Sequence, residues 1–104
     1  MTEVFCICLN GKLIAMLCIV SYNIKDKERE DAFIKILESM GSVNQYLPNC
    51  WFLSTEKANK DVLYKDLKNS LIDSDLLLLT ETSLDNMSGW LPKNSVDWLM
   101  EHPK

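Results

Sequence analysis

The run Leu76-Leu77-Leu78-Leu79-Thr80 constrains this chain more than any other stretch. It is too short for an apolar helix and shows no polar alternation, so it reads as a buried strand with apolar side chains on both faces. Leu17-Cys18-Ile19-Val20 has the same character near the other end. Between these runs lie two segments of helical period. In Lys27 to Met40, the apolar residues Phe33, Ile36, Leu37 and Met40 recur at spacings of three and four. Asp26 suits the N-cap, Glu28, Glu30 and Asp31 suit the positive helix start, and Gly41 suits the C′ stop. In Lys60 to Ile72, behind Asn59 as a cap, Leu63, Leu67 and Leu71 share a stripe with Tyr64 beside them. Residues 43–47 and 50–55 read as short strands joined across Pro48-Asn49.

From residue 16 onward the order is β-α-β-β-α-β. That predicts an α+β, ferredoxin-like domain over 16–104, a four-stranded antiparallel sheet carrying both helices on one face. Helices on one face leave the other uncovered, yet the strands are apolar on both. A two-fold homodimer packed sheet against sheet would cover it, and so would the tail. In that tail Gly89 and Pro92 mark a turn, and Asn94 or Ser95 can cap a short helix through Met100. Trp90, Trp98 and Leu99 are too large and apolar to be left in water. They either complete the core of one subunit or cross to a partner. Tyr22, Asn23, Trp90, Leu91 and Trp98 are the candidate interface residues.

Residues 1–15 stand before this domain as an N-terminal extension. Apolar runs 3–9 and 13–22 flank Asn10-Gly11-Lys12, and Asn-Gly is a strong hairpin signal because both residues tolerate positive φ. The extension therefore reads as an added strand. It carries Glu3 and no basic region, unlike an export signal. The eight apolar residues Leu13 to Val20 fall far short of the roughly 20 that span a bilayer. These features predict a cytoplasmic protein with no membrane attachment.

Chemistry-bearing residues are sparse. The 15 acidic and 11 basic residues give a net charge of −4, which disfavours non-specific binding to phosphate backbones. Lys57, Lys60, Lys65 and Lys68 cluster around the second helix as a weak nucleic-acid-binding candidate. Glu56, Asp61 and Asp66 are interleaved with them, so a solvated face is the simpler reading. Cys6, Cys8, Cys18 and Cys50 contain no CxxC pair and read as small buried hydrophobes. His102, the only histidine, is the third residue from the end. No residue pattern predicts a cofactor.

The segments "CIVSYNIKD", "ILESMG", "NCWFLST", "LLLLTETS" and "GWLPKNSVDWL" resemble small bacterial proteins catalogued as SinR-family. Those are similar in turn to the ferredoxin-like CRISPR-associated adaptation nucleases and, more distantly, to toxin-like ribonucleases. The resemblance spans about residues 17–100, and Gly89-Trp90-Leu91-Pro92 with Trp98 is its most specific part. It implies a homodimer in which an aromatic residue and an aspartate end the first strand. The two aspartates, one per protomer, then hold a divalent metal near the axis. Here Tyr22 matches the aromatic, but Asn23 stands at the aspartate position. A neutral carboxamide neither draws magnesium from its waters nor acts as a general base. Asp26, three residues on, is the substitute carboxylate if any metal is held, and reads more economically as the helix cap. The expectation is a non-catalytic dimeric module binding a protein partner or structured nucleic acid. The alternative is a metal-dependent endoribonuclease or deoxyribonuclease using Asn23 and Asp26 with magnesium or manganese.

Overall fold

The computed structural model describes residues 16–56 and 59–102. The strand predicted within 1–15, and Lys57, lie outside the described residues. Strand β1 (Met16–Asn23) leads into helix α1 (Lys27–Ser39), then β2 (Ser42–Leu47) and β3 (Cys50–Thr55). Helix α2 (Lys60–Lys68), β4 (Leu76–Thr82), a 3-10 turn at Leu84–Asn86 and α3 (Lys93–Glu101) follow. The four strands are antiparallel in the order β2-β3-β1-β4, the ferredoxin-like arrangement.

Local chemistry explains the helix starts. The Asp26 carboxylate accepts from the Arg29 amide at 2.9 Å, and Asn59 Oδ1 accepts from the Asp61 amide at 2.8 Å, so both predicted caps are formed. The ends differ from the sequence reading. Helix α2 stops at Lys68, with Asn69 as its C-cap, and the chain turns through Ser70 and Leu71. Leu71 still packs on the core from that turn. Gly41 has a different role from a helix-ending glycine in the left-handed region. A Cβ there would sit 2.2 Å from the Ser54 carbonyl oxygen, so glycine is required where the chain enters β2 against β3. The last helix begins at Lys93 behind Pro92; Asn94 and Ser95 are inside its first turn, and Ser95 is buried.

Period-two geometry divides β1 between two cores. Met16, Cys18, Val20 and Tyr22 face the helices and meet Phe33, Leu37, Leu63 and Leu67, all four of which are fully buried. Ile36 is half-buried against the same cluster. On the reverse face Leu17 and Phe52 are buried by Leu99, with Ile19, Tyr46, Leu84, Met87, Leu91 and Trp98 around them. The tail thus covers part of the second face within one chain. It does not reach the whole of it. Leu76 and Leu78 are 62% and 64% exposed, so the run read as a strand buried on both faces is covered by the helices alone at that end.

Candidate functional site

The predicted site lies where β1 ends. Alternation sends its two residues opposite ways: Tyr22 is 5% exposed in the helix-side core, while Asn23 is exposed on the reverse face, opposite Leu76 of β4. The Tyr22 hydroxyl donates to Glu30 Oε2 at 3.0 Å and accepts from Trp51 Nε1 at 3.3 Å. Desolvation in that core, reinforced by Glu30, raises the phenol pKa.

Asp26 is committed to the α1 cap. A second carboxylate at this end, Asp75, was legible only as part of a turn. Its side chain is fully buried, and Arg29 donates to both oxygens at 2.9 Å, from Nε and from Nη2. Backbone amides of Ile72 and Lys25 donate to it as well, at 3.1 and 3.4 Å. The Arg29 hydrogen bonds hold the Asp75 carboxyl well below the usual range, at about 2, with the two amides adding to the effect. This fork joins the first turn of α1 to the loop before β4, across 46 residues of sequence. Among the described residues, no three His, Cys, Asp or Glu side chains are grouped as metal ligands.

The tail residues separate by role. Trp98 lies over Phe52, with ring centroids 6.1 Å apart, donates from Nε1 to Ser42 Oγ at 3.0 Å, and carries His102 stacked on its outer side. Leu91 is half-buried against the reverse-face core, and Trp90 is fully exposed. Between the tail and the sheet runs a groove of about 530 Å³, lined mainly by apolar side chains including Ile19, Phe52, Leu84, Met87, Leu91 and Met100. Sequence reading anticipated the covering tail but not this groove, because covering and filling a face depend on how far a strap stands off the sheet.

Lys60, Lys65 and Lys68 are exposed along α2; Lys60 pairs with Asp61 at 3.8 Å and Lys68 lies 5.9 Å from the Tyr64 ring centroid. Cys18 is fully buried, and desolvation pushes its thiol up to about 11, the behaviour of a small hydrophobe. No described helix is long and apolar enough to cross a membrane.

No protein-family model and no curated protein sequence matches this chain. Among solved structures, it is similar to a hypothetical protein, TT1823, from Thermus thermophilus. The two share 19% identity at a TM-score of 0.52, over 75% of this chain and 95% of that one. At this identity the likeness concerns the fold alone.

Proposed function

We propose that this chain is a non-catalytic, homodimeric ferredoxin-like module that binds a protein partner. The observation that carries this reading is the state of the carboxylates at the end of β1. Asp26 is occupied by a backbone amide and Asp75 by Arg29 and two amides, while the residue that faces outward is the amide Asn23. To take a cation, Asp75 would have to give up Arg29, and Asp26 would have to uncap α1. The apolar groove under the tail, with Met87 and Met100 on its walls and Trp90 exposed in the adjoining turn, supports protein recognition over a phosphate track. The SinR-family resemblance is compatible with this reading as a nuclease-like scaffold put to another use.

The test is a cleavage assay on RNA and DNA with magnesium and manganese, using the wild type, Asn23→Asp and Asp26→Ala. The expected wild-type result is no metal-dependent product. Cleavage by the wild type that Asp26→Ala abolishes, with that variant still folded, would replace the module by the nuclease.

A further inference from the structure

The two edges of the sheet are treated differently. Edge strand β2 is polar in Ser42, Asn44 and Gln45, breaks register between Gln45 and Leu47, and has α3 lying against it. These are the usual devices that stop an edge from pairing with another chain. Edge strand β4 has no register break, and its polar residues are gathered at one end in Thr80, Glu81 and Thr82. Its seven residues, LLLLTET, contain no lysine and no proline, and they pair in unbroken register with β1 on the inner side. Among the described residues no strand pairs with the outer side. Leu76 and Leu78 are 62% and 64% exposed on its reverse face; Ile72 and Tyr64, which border a pocket with Leu76 and Leu77, are 53% and 41% exposed. A regular edge with exposed leucines is a template for another strand.

We propose that the outer edge of β4 pairs antiparallel with β4 of a second copy, joining two four-stranded sheets into one of eight. This rests on the homodimeric part of the function proposed above and assigns its surface. The strand is self-complementary in one register. A two-fold axis through Leu79 keeps both helix layers on one side and overlaps all seven residues. Leu76 then faces Thr82, Leu77 faces Glu81, Leu78 faces Thr80, and Leu79 faces itself. No like charges oppose one another. Moving the axis to Leu78 shortens the overlap and leaves Glu81 and Thr82 beyond the end of the partner strand. Moving it to Thr80 shortens the overlap and leaves Leu76 beyond the end of the partner strand.

Light scattering on the full chain at micromolar concentration, paired with residue-resolved amide exchange, tests this. The expected mass is twice 12.0 kDa, with alternate amides of β4 gaining protection as concentration rises. Leu78→Lys and Thr80→Lys alter side chains that are exposed in one subunit, so each should keep the native circular dichroism spectrum. Both should weaken the dimer by about 10- to 100-fold. A monomer overturns the proposal, including one that dimerises only after removal of residues 1–15, since the edge would then belong to that segment. A dimer indifferent to both lysines, or one protected at Asn23 and not along β4, overturns it too. Either of those dimers leaves the binding-module reading standing, whereas metal-dependent cleavage by a β4-paired dimer would remove that reading and leave the edge.

Discussion

The helix-side core and the tail-side core share one sheet but are built to different standards. On the helix side Phe33, Leu37, Leu53, Leu63 and Leu67 have no accessible surface, and the ring of Tyr22 lies 4.8 Å from that of Phe33. On the tail side three buried residues, Leu17, Phe52 and Leu99, adjoin a groove of about 530 Å³. The tail side also strands two polar atoms, Asn44 Oδ1 and Ser95 Oγ, which are buried without a hydrogen-bond partner. Complete burial and satisfied polar groups make a stability core. An open groove beside a lightly held strap makes a surface that another molecule can enter.

Substitutions that delete equal chemistry from the two sides should separate them. Leu67→Ala leaves a cavity walled on every side and should cost about 2–5 kcal/mol in denaturant unfolding. A loss well below 1 kcal/mol would show that this core relaxes freely and would break the contrast. Leu99→Ala removes the same atoms beside an open groove. The transfer contribution then acts without much cavity penalty, so the expected loss is smaller, about 1.5–3 kcal/mol. Equal losses at the two sites would mean that the strap is as firmly packed as the helices.

The Asp75–Arg29 fork comes next, because Arg29 keeps 26% of its side chain in water. The folded pKa of Asp75, about 2, lies below its ordinary value of 3.8. Its stabilising contribution is therefore complete above that ordinary value and is lost as pH falls toward the folded one. Thermal midpoints of the wild type should decline across that window, and Asp75→Asn should flatten the decline while lowering the midpoint at neutral pH. An unchanged acid slope in the variant would assign the acid sensitivity to other carboxylates. The smallest effect belongs to Ser95→Ala. Removing an unpaired buried hydroxyl should shift stability by less than about 1 kcal/mol, toward greater stability. A clear loss would reveal a hydrogen bond that Ser95 makes through bound water.

How much of this was legible depended on range. Stripes at three and four placed Phe33, Leu37, Leu63 and Leu67 correctly because helical period is a local property. The order of elements then implied the sheet. Leu76 to Leu79 were legible as a strand, but not the openness of one face, since no local signal says how far a tail reaches. Gly41 shows the same limit: its neighbour Ser54 is distant in sequence, so a close approach looked like a helix stop. Asp75 was missed altogether. An aspartate in Asp73-Ser74-Asp75 looks like any turn, and only folding brings Arg29 onto it.

The three tryptophans fall in three different surroundings. Trp51 is 8% exposed in the helix-side core, Trp98 is half-buried between Phe52 and His102, and Trp90 is 101% exposed. Fluorescence therefore resolves the molecule without added labels. A soluble quencher reads Trp90 first, and a change in the Trp98 component under its stacked histidine follows lifting of the strap. The Trp51 component moves only when the sheet and helices come apart. Single-tryptophan variants would turn the two-sided architecture into a sequence of optical events, and any ligand entering the groove would announce itself in the Trp90 or Trp98 emission while Trp51 stays silent.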